Sequence, residues 1–163
     1  MAQEFSFDVV SKFDRQELVN AIDQTQREIR TRYDFKGVTA EVDLSEKEIA
    51  LLAESDFKLK AISEILTAKL VKRGLSPKIL DPAEPEPAAR GNVRQSVRLR
   101  EGIGEELARD LQKRIKAVSP KVQARIQGDS LRVASRDKDL LQTVIQELRE
   151  LALPTPLQFI NYR

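Results

Sequence analysis

Lys121, Gln123, Arg125 and Gln127 occupy alternate positions of a segment whose other positions are Val122, Ala124 and Ile126. In a β-strand that period puts the four polar side chains on one face and the three apolar ones on the other. Two cations and two amides on one pleated surface can pair with phosphate oxygens and base edges. Arg94, Arg98 and Arg100 make a similar row, alternating with Val93, Gln95, Val97 and Leu99. A third grouping, Arg32-Tyr33-Asp34-Phe35-Lys36-Gly37, sets two aromatic rings among cations. Such a unit can stack a base and hold its phosphate. Each pattern also has a plainer reading. An antiparallel sheet often exposes one solvated polar face. Tyr33 and Phe35 can pack under a helix end while Gly37 supplies a special backbone angle.

Other chemistries lack their residues. The chain has no histidine and no cysteine, which excludes Ser-His-Asp and Cys-His catalysis and the usual zinc sites. Gly102-Ile103-Gly104 before a helical segment faintly resembles a dinucleotide loop, but the third glycine position is Leu107. Glu101, Glu105 and Glu106 crowd that turn and would repel a phosphate. The expectation is a binding protein without catalytic activity, cofactor or metal.

The elements that must position these groups follow from apolar periodicity. Phe5, Phe7 and Val9 suit a half-buried strand. Asp14 precedes a helix with the stripe Leu18, Ile22, Thr25 and Ile29. Val38 to Val42 and Ile49 to Leu51 read as strands. Ser55 or Asp56 caps a second helix carrying Leu59, Ile62, Leu66 and Leu70, with Gly74 just past its end. A short strand lies around Lys78-Ile79-Leu80. After the proline-rich Asp81–Pro87 the order repeats: strand Val93–Leu99, helix Leu107–Val118, strand Lys121–Gln127, a Gly128-Asp129 turn, and strand Leu131–Val133. A helix from Leu140 to Leu148 and a strand from Leu157 to Tyr162 complete it. Strand-helix-strand-strand-helix-strand, spelled twice, predicts an α+β chain of two ferredoxin-like domains, each with helices on one face of a four-stranded antiparallel sheet.

Composition agrees with a soluble cytoplasmic protein: 163 residues, 40% hydrophobic and 33% charged. No apolar run approaches a bilayer span, and Met1-Ala2-Gln3-Glu4 lacks a signal-peptide plan. The net charge of +2 is uneven. Residues 1–80 hold 13 Lys and Arg against 14 Asp and Glu, residues 81–90 one against three, and residues 91–163 fourteen against nine. Counted along the chain, an anionic partner favours the second half.

The same segments resemble a known family. Ser6-Phe7-Asp8-Val9-Val10-Ser11, Thr31 to Gly37, Ser55-Asp56-Phe57, Lys72-Arg73-Gly74, Lys121 to Ala124 with Ile126-Gln127-Gly128, and Pro156 to Arg163 are similar to the bacterial YajQ family. The resemblance implies a small cytosolic nucleotide-binding protein whose two domains exchange their N-terminal strands. In that arrangement residues 1–12 complete the second domain at 102–163, residues 92–101 complete the first at 13–82, and 83–91 is a linker. Some family members are described as cyclic di-GMP receptors. Two departures stand out: Ser135-Arg136 where the family tends to have Gly-Lys, and Leu140 beside Asp139 where a second acid is common.

Three functions are then in view. One is a regulator that binds a nucleotide or cyclic dinucleotide on a sheet face or in a cleft between domains and is sensed by a transcription regulator or another protein. The second is an RNA-binding module on the basic sheet face, and the third a protein-interaction adaptor.

Overall fold

Two kinds of local chemistry punctuate the chain, helix caps and edge prolines, and together they cut it into the elements of a computed structural model that describes residues 3–163. Asp14 opens α1 (Arg15–Thr31) by accepting from the N–H groups of Gln16 and Glu17. Ser55 does the same for α2 (Asp56–Lys72) through Lys58 N–H. Gly74, at φ +80°, closes α2: Gly74 N–H returns to Val71 O and Leu75 N–H to Leu70 O. That is the double bond of a Schellman motif, which requires the left-handed backbone that glycine adopts without strain.

The chain divides into two units. The first comprises Met1–Lys12 with Glu101–Arg163, the second Phe13–Arg100. In the second unit, β2 (Ala40–Leu44), β3 (Glu48–Ala53), β4 (Leu80–Pro82), β5 (Glu86–Pro87) and β6 (Val93–Leu99) form an antiparallel sheet in the order β2-β3-β6-β4. Strand β5 pairs with β6 beyond the end of β4. Most of the proline-rich segment therefore lies along β6, where an edge strand tolerates a residue without an N–H. The core gathers Leu18, Ile22 and Ile29 of α1, Leu59, Ile62, Leu66 and Leu70 of α2, and Ile49, Leu51 and Val97 of the sheet. Strand β2 starts at Ala40 rather than Val38, because Val38 N–H closes a turn onto Phe35 O.

In the first unit, β7 (Gln123–Gln127), β8 (Ser130–Ser135), β1 (Phe5–Val10) and β9 (Gln158–Ile160) form a sheet in that order, with β1 antiparallel to both β8 and β9. Helices α3 (Glu105–Val118) and α4 (Lys138–Arg149) contribute Leu111, Ile115, Val144 and Leu148 to a core shared with Phe7, Val9, Leu131 and Val133. The Gly128-Asp129 turn joins β7 to β8 as the sequence predicts. Strand β9 is shorter than expected because Asn161 turns the chain at φ +57°. No helix among the described residues is long and apolar enough to cross a membrane.

This grouping changes the electrostatics. The first unit carries 12 Lys and Arg against 11 Asp and Glu, the second 16 against 15, so each has a net charge of +1. The basic excess of residues 91–163 is not a property of either unit, because Arg94, Arg98 and Arg100 lie in the second. Attraction for an anion must be sought in local clusters.

Candidate functional site

One such cluster lines a cleft of about 720 Å³ in the first unit, where the start of β7 faces the turn between β8 and α4. Lys121 and Gln123 stand on one bank, and Arg136, Asp137, Lys138 and Asp139 on the other, with Glu4 at the side. Local chemistry shapes both banks. Ser119 Oγ accepts from Lys121 N–H, and Asp137 caps α4 by accepting from Asp139 and Leu140 N–H. Among the described residues, Lys121, Arg136 and Lys138 form no ion pair. Lys138 Nζ sits 5.8 Å from the centroid of the Phe5 ring. Three cations and an amide around one concavity can hold a phosphate ester by direct charge-assisted bonds, against the opposing charge of Glu4 and Asp139 and with the Asp137 carboxylate turned to the α4 amides.

Arg125 and Gln127 lie further along the strand, toward the hairpin. Arg125 stands opposite Arg132 on β8, which stands opposite Asp8 on β1. Arg132 Nε donates to Asp8 Oδ1 at 3.1 Å, and Asn161 Nδ2 donates to Asp8 Oδ2 at 2.8 Å. Burial acts to raise the Asp8 pKa, but these two bonds and the charges of Arg132 and Arg163 together hold it below the usual carboxylate value. Arg132, not singled out from sequence, is thus paired, whereas Arg125 of the expected row reaches Gln123 Oε1 at 3.4 Å. Val122 and Ala124 are buried as expected, whereas Ile126, beside the hairpin, is 38% exposed.

The arginine row on β6 meets acids. Arg94 stands opposite Glu86, and Arg98 lies between Glu48 and Asp81. Arg100 donates to the carbonyls of Lys78 and Leu80 and to Asp81, so it fastens the chain entering β4. Alternating charge of this kind favours the sheet itself and screens a phosphate from the arginines.

The Arg32–Gly37 cluster splits. Phe35 is buried, with the Arg32 guanidinium and Lys58 Nζ 5.3 and 5.2 Å from its ring centroid. Arg32 pairs with Asp34 at 2.8 Å, and this bond is the main cause holding the Asp34 carboxyl below its usual value. Lys58 Nζ donates to Asp34 O. Lys36 is exposed, and Gly37 takes φ +73°. Tyr33, however, is 87% exposed, and so is 77% of Phe57 in the first turn of α2. Of the candidate binding residues named from sequence, the cleft brings together Lys121 and Gln123 only, although Ser135, Arg136 and Asp139, noted there beside the family pattern, also line it. It adds Arg136 and Lys138, which flank an N-cap aspartate. Two cations astride a helix start were the available signal for them.

Comparison with known proteins converges on one description. The family profile that matches residues 5–163 is described as nucleotide-binding protein, YajQ-like. A nucleotide-binding protein of Picosynechococcus sp. is 51% identical over 163 residues, covering 100% of both chains. One from Chloroflexus aurantiacus is 51% identical over 165 residues, and one from Trichormus variabilis 47% identical over 163, again with 100% coverage of both chains.

Proposed function

The chain belongs to the YajQ-like family, and on that premise we propose that it binds a nucleotide or cyclic dinucleotide in the Lys121–Arg136–Lys138 cleft and acts as a non-catalytic regulator. The carrying observation is the convergence of Lys121, Arg136 and Lys138, which form no ion pair among the described residues, on one concavity that also presents the Gln123 amide. Glu4, Asp137 and Asp139 share the lining, so a phosphate is held by direct bonds to these cations and not by a net positive field. Phosphate oxygens accept from the three cations, while the amide offers both a donor and an acceptor to a base edge. The volume lies within the range of small-molecule sites. The names of the relatives support the same ligand class. A regulatory role is supported by the chemistry of the lining. The Ser135 hydroxyl is buried and spends its bonds on backbone, and the Asp137 carboxylate is committed to the α4 cap. Neither of these two groups is free to act as nucleophile or base, and with no histidine or cysteine in the chain we read a site that binds its ligand and lets a partner protein sense it.

The test is a thermal-shift and calorimetric panel of ATP, GTP, cyclic di-GMP and a short single-stranded RNA. A nucleotide stabilises the protein saturably. The double variant Lys121→Glu, Arg136→Glu stays folded and weakens binding by at least about 100-fold, because each of the two charge-assisted bonds contributes about 1.5–3 kcal/mol. Undiminished binding in that variant refutes the site. Binding of the RNA alone, with a steep salt dependence, replaces the reading by an RNA-binding one.

A further inference from the structure

The inward positions of β8 run Leu131, Val133, Ser135. The first two fill the core, and the pattern calls for a third apolar residue. A serine stands there instead, only 3% exposed. A buried hydroxyl without partners is unfavourable, but this one has two. Ser135 Oγ donates to Lys121 O at 3.1 Å and accepts from Asp137 N–H at 3.1 Å. Both partners are backbone groups of the cleft, one on each bank. Lys121 O belongs to the residue that carries the first cation. Asp137 N–H lies between Arg136 and Lys138, which carry the other two. From Asp137 the chain of bonds continues through its carboxylate to the amides that open α4.

We infer that Ser135 is the positioning residue of the cleft, setting the distance between the Lys121 bank and the Arg136–Lys138 bank through a single hydroxyl. This rests on the reading of the cleft as the nucleotide site. An apolar side chain at position 135 would leave Lys121 O and Asp137 N–H without this partner, and departures from the local pattern concentrate where a protein needs a fixed geometry. The Lys121 bank depends on such help. It follows Ser119-Pro120 as a turn before β7 begins at Gln123, closed by the Ser119 hydroxyl on Lys121 N–H, Val122 N–H on Ser119 O and the buried Val122 side chain, none of which reaches the other bank. A long flexible lysine on an unanchored backbone loses more freedom on binding than one whose backbone is held. The hydroxyl therefore acts on the ligand through Lys121, Arg136 and Lys138 and need not touch it.

The experiment is a double-mutant cycle between Ser135→Ala and Lys121→Ala, titrated with inorganic pyrophosphate, ATP and cyclic di-GMP, with Ser135→Thr as the hydroxyl-retaining control. Ser135→Ala weakens binding roughly tenfold when Lys121 is present and less than about twofold when it is absent, the coupling expected of residues sharing one network. Ser135→Thr binds as wild type does. Equal losses in both backgrounds, no loss in folded Ser135→Ala, or a folded Ser135→Thr as weak as Ser135→Ala overturns the inference while leaving the nucleotide reading intact. A measurement on the wild-type protein serves if the alanine variant does not fold: the Asp137 amide exchanges more slowly once ligand bridges the banks, and unchanged exchange overturns the inference. Wild-type protein that binds none of the three probes overturns the nucleotide reading, and the serine's role with it.

Discussion

Asp8→Ala removes a carboxylate that joins three separated segments of the first unit: β1, β8 through Arg132, and the residue after β9 through Asn161. The Asp8 side chain is 14% exposed and that of Arg132 35%. A hydrogen bond to a charged group contributes about 1.5–3 kcal/mol, but the guanidinium, a third exposed, recovers part of its hydration when the partner is lost. The expected cost is about 2 kcal/mol at neutral pH, which for a unit of this size lowers the melting temperature by roughly 10 °C. The pH dependence has a definite sign. The folded-state pKa of Asp8 lies below its usual value, so its contribution is fully present above the unfolded-state pKa of about 3.9 and is lost as pH falls through the folded-state value. Urea unfolding of wild type, Asp8→Ala, Arg132→Ala and the double variant across the acidic range measures both effects. A cost below about 0.5 kcal/mol at pH 7 refutes the reasoning, as does a cost that does not shrink under acid.

Two further outcomes follow from the second unit. Gly74→Ala has no steric contact to make, since nothing lies within 4 Å of the added carbon. Its cost is the left-handed backbone alone, about 1 kcal/mol after the compensating loss of freedom in the unfolded chain, read by urea unfolding. Reversing Arg94 and Arg98 together to glutamate costs less than about 1 kcal/mol per site, through repulsion from Glu86, Glu48 and Asp81. It leaves nucleotide affinity within about twofold by calorimetry. A tenfold loss would move the ligand from the first unit to this sheet.

Alternation and helical periodicity were legible because burial imposes them: Leu18, Ile22 and Ile29 or Leu131 and Val133 can face only a core. The Gly74 cap and the Gly128-Asp129 turn were legible because few residues adopt those backbone angles. Charge was misleading when summed along the chain, since a sheet brings Arg98 beside Glu48 and Asp81 from distant segments. The Arg100 latch was invisible for the same reason: its acceptors are mostly backbone carbonyls, which every sequence contains. At the Arg32–Gly37 cluster the plainer reading holds for Phe35 and fails for Tyr33, because a one-turn 3-10 helix (Tyr33–Phe35) sends neighbouring rings in different directions. Half of the cleft's cations were readable from β7. Arg136 and Lys138 were marked only by their place on either side of the Asp137 cap, because a turn before a helix has no period to betray which side chains converge.

The pairing of β1 with β8 and β9 also dictates an order of events at the ribosome. The residues of the second unit have all been made once Arg100 is added, whereas Phe5, synthesised almost first, finds its partner Ser135 only after 130 further residues. At about 5–20 residues per second that delay is on the order of ten seconds, and the entropy of closing so long a loop falls on the last strands to arrive. During it, Phe5, Phe7 and Val9 have no sheet to enter and are natural clients for a chaperone. A stalled or truncated chain ending before β8 would consequently hold a finished second unit beside an adhesive, unpaired N-terminal strand.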